Sequence, residues 1–434
     1  MKTLNLFKHP VVPPLAVLFL AVSGSAGAGG LYIWEFGQPS QGASGAGAGA
    51  LAQDASIAFF NPAGIVTLDE PQYMVTGIII DSSLKFSQDP ASGAVPPSVT
   101  DAAGNRPAAN GGEAGSTALG AAFAYARPVN DKWGWGLSMA SISGAAMEYE
   151  TPRDFAGRYW AMEVELLTIN ITPAISYRVN DRLSLGFGLP VMLGSLDMDI
   201  AIPGPAEGVP DGRALISDGD DLQATFSLSA LWQASPRLTL GAMYLGEIEI
   251  EFDSDLSLTL PTGTGFEDIA ADVSFTYPQT LRTWGAYELN DRVTLLGTLA
   301  WEDWSAFDEL AISTPSIGVG IPRNWEDTWH IGLGLRMQTA GPMTWYTGVA
   351  YDESPTNSQE RTADMPMDEQ WRISAGFTYE RPNGRQVGVS ATWADYGDAA
   401  IDNGGVRPGS ELPWTVKGSY SSNRILFIGL NYGW

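Results

Sequence analysis

Side chains able to make or break bonds are scarce in this 434-residue chain, which has no cysteine and two histidines, His9 and His330. Hydrolysis through an activated hydroxyl needs a histidine base. A zinc centre needs thiolates or paired imidazoles. His9 falls in an apolar leader, which leaves His330 alone. It shares a predicted strand face with Glu326, Thr328 and Arg336, away from Trp329 and Ile331, a pattern that suits hydrogen bonding in a polar interior. We therefore expect no enzyme, no metal site and no cofactor. Carboxylates are plentiful, with Asp211, Asp218, Asp220 and Asp221 close together. A divalent-cation site there is one reading; a solvated acidic loop is the simpler one. A formal charge of −26 argues against nucleic acid as a partner.

The elements that must carry these residues are strands. Val129-Asn130-Asp131-Lys132, Val179-Asn180-Asp181-Arg182 and Leu289-Asn290-Asp291-Arg292 are short turns between stretches that alternate apolar and polar residues. Further short turns fall at Ser235-Pro236-Arg237, Thr339-Ala340-Gly341-Pro342 and Pro382-Asn383-Gly384. Long polar connections are expected near 89–115, 148–162, 201–221, 254–271, 309–324, 354–369 and 400–417. Short turns at one end and long loops at the other mark an outer-membrane β-barrel, here antiparallel and of about fourteen strands. Leu167, Ile169, Ile171, Ile175 and Tyr177 alternate with Thr168, Asn170, Thr172 and Ser176. From Leu222 to Trp232 the parity is reversed. A soluble β-sandwich also alternates, and the two ends of the chain argue against it.

At the start, Lys2 and Lys8 precede an apolar run from Val11 to Val22, and Ser25-Ala26-Gly27-Ala28 is a small-residue cleavage site. Residues 1–28 are thus expected to be a signal peptide; losing Lys2 and Lys8 with it takes the charge from −26 to −28. At the other end Leu426, Ile428, Leu430, Tyr432 and Trp434 alternate up to a terminal aromatic, as a closing barrel strand does. The segment 29–70 does not read as strand. Gln41 to Ala52 is rich in Gly and Ala, too much so for a long stable helix, while Phe59, Phe60, Ile65 and Leu68 need cover. A barrel of this size has a lumen too wide for side chains alone to fill. We expect 29–70 to be a plug within it and 71–434 to be the barrel.

Ala52-Gln53-Asp54-Ala55-Ser56-Ile57-Ala58-Phe59-Phe60-Asn61-Pro62-Ala63-Gly64 resembles the hatch motif of the FadL/TodX family of outer-membrane transporters for long-chain fatty acids and hydrocarbons. Pro128 to Gly136 resembles that family's turn into the third strand. Tyr351 to Pro355 and Trp371 to Gly376 resemble its eleventh and twelfth strands. The resemblance implies a fourteen-stranded barrel with a hatch element at Asn61, Pro62, Ala63 and Gly64. It also implies a lateral opening at a third-strand kink on Gly144, Ala145 and Ala146. The N-terminus, with Leu31, Ile33, Trp34 and Phe36, would line the substrate path. Ligand would be caught in an apolar groove, pass the hatch and leave sideways into the membrane. The expected partners are a long-chain fatty acid or hydrocarbon, outer-membrane lipid and lipopolysaccharide, and the barrel-assembly machinery, with the chain acting as a monomer. Where fatty acid transporters carry bases at the outer end of the fifth strand, this chain has Leu196-Asp197-Met198-Asp199-Ile200. That departure points towards a neutral substrate, unless Arg323 or another loop base meets a carboxylate. The competing readings are a general diffusion porin and an outer-membrane lipid hydrolase.

Overall fold

Residues that face outward here are the oily ones. In the segment Glu163–Asn180, Thr168, Asn170, Thr172 and Ser176 are buried, whereas Leu167 and Ile175 are 41 % and 49 % exposed. A soluble sandwich would hide the second set and wet the first. This parity repeats round the sheet in the computed structural model, which describes residues 32–89, 109–204, 209–382, 384–406 and 413–434. The expected signal peptide and Leu31 lie outside the described residues.

Among the described residues the strands form a closed antiparallel barrel of 14. They are β1 (Gln72–Gln88), β2 (Thr117–Pro128), β3 (Trp133–Glu148), β4 (Glu163–Asn180), β5 (Leu183–Gly188 and Val191–Ile202), β6 (Gly212–Ala224 and Ser227–Ser235) and β7 (Leu238–Leu245 and Ile248–Thr259). The ring continues through β8 (Gly265–Tyr277 and Thr280–Asn290), β9 (Val293–Glu302), β10 (Thr328–Gln338), β11 (Met343–Asp352), β12 (Gln370–Glu380), β13 (Gln386–Asp395) and β14 (Pro413–Gly433). β14 pairs back onto β1 from Met74↔Gly433 to Gln88↔Gly418, which closes the ring. The Asn-Asp turns close as their chemistry dictates. Asn130 Oδ1 accepts from the N–H groups of Lys132 and Trp133 at 2.9 and 3.0 Å, and Asn180 and Asn290 repeat the pair. Trp434 stacks on Tyr73 at 5.3 Å, placing the last residue at the seam.

Four of the expected loops are largely strand. β6 begins at Gly212, β7 and β8 meet in a hairpin at 260–264, Glu309–Ser313 pairs with Gly318–Pro322, and Ile401–Val406 pairs with β14 from Pro413 to Gly418. The cause is visible in β7. Below Gly246 the outward residues are Leu238, Leu240, Ala242 and Tyr244. Above it they are Glu249, Glu251 and Asp253, while Ile248, Ile250 and Phe252 turn inward. The strand outlasts the membrane, and its two faces exchange chemistry where lipid gives way to water. Neighbouring strands break at the corresponding points, at Leu189-Pro190, Thr225-Phe226, Gly246-Glu247 and Pro278-Gln279.

Candidate functional site

The segment before β1 has little regular structure: two four-residue helical turns, Ala48–Leu51 and Ile57–Phe60, and 3-10 turns at Pro39–Ala43 and Pro62–Thr67. Its contacts fix where it lies. Pro39–Ala43 touches β10 to β13, Ala48–Leu51 touches β7 and β8, and Pro62–Thr67 touches β2 to β6. A segment that meets strands on opposite arcs of the ring runs across the lumen.

Wall glycines make room for it. A Cβ on Gly186 would lie 2.3 Å from Ala63 N, on Gly241 2.3 Å from Gly49 O, and on Gly348 2.2 Å from Ala43 O. On Gly429 it would lie 2.4 Å from Gly37 Cα. The backbone of the segment thus rests directly on the backbone of the wall. Asn61, fully buried, ties the seat together. Its Nδ2 donates to Gly49 O at 2.7 Å and to Ala230 O on β6 at 3.0 Å, and its Oδ1 accepts from Ala63 N–H at 3.2 Å. Pro62 needs no donor at the first position of its turn. Ser184 on β5 donates to Ala63 O at 2.7 Å. Gly64 is small because a Cβ there would meet Ile57 Cγ1 at 2.5 Å.

The other N-terminal residues separate into two roles. Ile33 packs with Ile78, Ile80, Ile425 and Phe427 of the wall. Trp34 and Phe36 face Phe59, at 6.1 and 4.8 Å between rings, and the Arg282 guanidinium lies 4.0 Å from the centre of the Trp34 ring. Tyr32 reaches further out. Its hydroxyl donates to Pro278 O, a carbonyl freed where β8 breaks, and burial pushes the phenol well above its usual range. From Tyr32 a run of aromatic contacts climbs under the outer loops: Trp304 at 5.3 Å, Trp325 at 5.3 Å from Trp304, Phe307 at 4.7 Å from Trp325 and Phe275 at 5.4 Å from Phe307.

The third strand is where the wall is incomplete. β2 and β3 pair from Pro128↔Gly134 up to Phe123↔Met139 and no further. Beyond that point β2 pairs only with β1, and β3 only with β4. Pairing resumes above, where Glu148 N–H donates to Ala114 O at 3.3 Å. Between lies a window alongside residues 140–147, roughly 25 Å of strand. Against β4, Ala140 faces Asn170 and Ser143 faces Thr168, so β3 carries one extra residue, a β-bulge. Ser143, Gly144, Ala145, Ala146 and Met147 are then all buried, and the alternation is lost there. A cavity of about 200 Å³ sits at the window. Gly144, Ala145 and Ala146 line it together with Ile33 and Phe36 from inside and Leu119, 55 % exposed, from outside.

Three of the described loop bases, Arg158, Arg323 and Arg361, have partners of their own. Arg323 is fully buried with both Nη atoms on Asp364, at 3.0 and 2.6 Å, so it does not stand ready for a ligand carboxylate. Arg158 pairs with Asp211 and Arg361 with Asp368, at 2.7 and 3.0 Å. At the outer end of β5, Asp199 holds Arg213 at 2.7 Å. Asp221 accepts from Glu251 N–H at 2.7 Å, and no group of three or more acidic or histidine side chains is placed to hold a metal among the described residues. His330 faces the lumen, with Nδ1 2.8 Å from Asp352 Oδ1. Glu326 does not join it, being exposed ahead of β10.

An oil-facing, closed antiparallel barrel with its N-terminal segment packed against the inner wall is the architecture of an outer-membrane barrel. The chain belongs to the outer membrane protein transport protein family (OMPP1/FadL/TodX), whose model matches residues 19–426. It is 25 % identical over 429 residues to the long-chain fatty acid transport protein of Escherichia coli K12, covering 90 % of this chain and 93 % of that one. It is 23 % identical to outer membrane protein P1 of Haemophilus influenzae, over 84 % and 86 % of the two chains. A FadL homologue of Pseudomonas aeruginosa superposes with a TM-score of 0.82 at 21 % identity, covering 93 % of this chain and 99 % of that one. The Pseudomonas putida toluene transporter TodX gives 0.69 at 15 % identity, over 93 % and 98 %. This is an outer-membrane transport protein, in a family of channels rather than enzymes.

Proposed function

We propose that the chain takes up hydrophobic compounds, long-chain fatty acids or hydrocarbons, and delivers them sideways into the membrane. Ligand is caught in the aromatic compartment under the outer loops. The hatch, residues 29–70 with Asn61, Pro62, Ala63 and Gly64 at its seat, then rearranges, and Gly144, Ala145 and Ala146 form the lateral opening. Ile33, Trp34, Phe36 and Leu31 belong to the substrate path. The observation that carries this reading is the unpaired window between β2 and β3, with lumen residues on one side and lipid-facing Leu119 on the other. Burying an alkyl chain releases about 0.8 kcal/mol per CH₂, so ~16 carbons gain on the order of 13 kcal/mol before the loss of ligand freedom. Capture is easy and release is the harder step. An exit into oil keeps the chain out of water throughout.

A signal peptide cleaved after Ala28, insertion by the barrel-assembly machinery, contact with lipopolysaccharide and a monomeric state complete the proposal. Its test is uptake of labelled palmitate, hexadecane and toluene by cells lacking a transporter of their own, with and without this chain. Uptake of none of them above the background, with the barrel folded in the outer membrane, would overturn it. Steady ion current through the purified protein in planar bilayers would favour the diffusion porin instead.

A further inference from the structure

The wall glycines at the seat of the N-terminal segment are explained from inside; Gly285 on β8 and Gly297 on β9 are not. They sit directly opposite each other. Each shares the parity of exposed neighbours, Leu281 and Tyr287 on β8 and Leu295 and Leu299 on β9, so both point outward into lipid. A Cβ on Gly285 would meet nothing nearer than Leu240 Cδ2 at 3.6 Å, and one on Gly297 nothing nearer than Gly332 O at 3.9 Å. Glycine weakens a strand and has no side chain to pack. What these two provide is empty space on the outer wall.

The strand register extends that space into a groove. Ala230 on β6 is opposite Ala242 on β7, and Ala242 is opposite Thr283 on β8. With Gly285 and Gly297 these small residues make the floor. The Thr283 hydroxyl donates to Leu299 O at 2.8 Å, which leaves the floor apolar. Trp232, Leu240, Leu299 and Leu333 stand round it, and the hollow measures about 930 Å³. That is the size of a small-molecule site, about 300–1,000 Å³.

One end of the groove is charged. It opens at the periplasmic rim on Arg182, beside Leu183 and Trp232. Leu183, the first residue of β5, is opposite Trp232, Trp232 is opposite Leu240, and Leu240 is opposite Gly285. Gly297 closes the row as the fifth residue of ten in β9. The hollow therefore climbs from the water interface to mid-membrane, the depth of one leaflet of about 15 Å. Arg182 is exposed. Among the described residues only its backbone is hydrogen-bonded, with the N–H on Asn180 Oδ1 and the C=O accepting from Gln233 N–H, and no ion pair holds its guanidinium. Trp232, 47 % exposed, carries an indole N–H at the same level, where amphipathic rings meet head groups.

We propose that this groove holds one anionic glycerophospholipid of the periplasmic leaflet, its phosphate on Arg182 and an acyl chain along Ala242, Gly285 and Gly297. Oil already surrounds the barrel, so apolar burial alone gives the groove no preference over bulk lipid. Selectivity comes from the fit of the chain and from the charge-assisted bonds of guanidinium to phosphate. A head group with its own ammonium competes for that phosphate, so a net negative lipid is favoured. Lipopolysaccharide has its head at the opposite surface, and a hydrocarbon has nothing for Arg182. The groove lies on β5 to β10, on a different arc from the window between β2 and β3, and it does not depend on what the chain transports.

Full-length protein, freed of lipid in detergent, is mixed with equal amounts of dipalmitoyl phosphatidylglycerol and dipalmitoyl phosphatidylethanolamine and read by native mass spectrometry. One phosphatidylglycerol should be retained with a preference of about tenfold. Arg182→Gln should bring the two lipids level. Lys132→Gln removes the same charge from a turn away from the groove and should leave the preference unchanged. Gly285→Leu fills the groove with a side chain suited to the lipid face and should abolish retention of both lipids, with the heat-induced gel shift intact. Equal retention of the two lipids by the parent chain, equal effects of Arg182→Gln and Lys132→Gln, or retention by a folded Gly285→Leu form would overturn the proposal. A dimer that Gly285→Leu dissolves would overturn it as well, by making this face an interface between copies. If Gly285→Leu does not fold, Arg182→Gln against Lys132→Gln decides.

Discussion

Replacing Gly348 by alanine should loosen the N-terminal segment from the wall. The added Cβ would lie 2.2 Å from Ala43 O, 2.4 Å from Ala43 C and 2.8 Å from Ala43 Cα, all backbone atoms that no rotamer change can move. Ordinary contact begins at 3.4 Å, so the two backbones must part by about 1.2 Å. Overpacking of this kind costs about 1–3 kcal/mol, and one or two kcal/mol is a factor of roughly 5–30 in an equilibrium. The seated state of the segment should lose ground by that factor. The assay is single-channel conductance of the purified protein in planar bilayers, with the heat-induced gel shift as a check on the barrel. Transient openings should become roughly 5–30 times more frequent. Gly297→Ala is the control, since Gly297 meets nothing nearer than Gly332 O at 3.9 Å. If Gly348→Ala is as quiet and as heat-stable as Gly297→Ala, close backbone contact is not what holds the segment.

Further expectations concern the seat, the path, the window and the leader. Asn61→Ala removes donors to Gly49 O and Ala230 O and the acceptor for Ala63 N–H. It should destabilise the seat by about 1–3 kcal/mol, seen as faster proteolysis of the segment with the barrel still folded. Trp34→Ala removes the ring beside Arg282, an interaction of about 0.5–2 kcal/mol; ligand binding should weaken by a few-fold or more in titrations, and unchanged binding would mean that Trp34 only anchors the segment. Gly144→Ile puts a branched side chain in the window, where even a Cβ lies 3.3 Å from Leu166 O. Uptake should fall sharply while binding at the outer compartment survives; normal uptake in a folded variant would mean another exit. The mature chain should begin at Gly29 and shift on boiling in gels, and an unprocessed N-terminus in an inner-membrane fraction would contradict the leader assignment.

Local chemistry was legible in the sequence, and partnership across the lumen was not. The Asn-Asp turns, the parity of β4 and the aromatic end each depend on neighbours a few residues away, so period and turn type suffice to place them. The third-strand disturbance is local too, because the run Ser143 to Ala146 drops out of alternation on its own. Gly186, Gly241, Gly348 and Gly429 carry no such local sign. A glycine within a strand announces a bulge or a close approach, but the object approached is a segment from the other end of the chain. The misread loops have a different cause. Within the expected loop 254–271, Asp255, Ser257 and Thr259 look like a solvated connection when polarity alone is counted. They alternate with Leu256 and Leu258 in a strand that has left the membrane.

A belt of charges on the inner wall shows why side chains that meet across strands escape a linear reading even when each member is visible. Arg282, Glu302, His330, Asp352 and Arg372 are twenty or more residues apart, and no motif joins them. They become level because each passage through the barrel returns the chain to the same height, so the register of β8 to β12 converts long spacing into contact. Alternation correctly turned His330 inward, yet its partner Asp352 lies one hairpin away. Glu35 completes the belt from the far end of the chain, and it does so within the stretch that also lines the window.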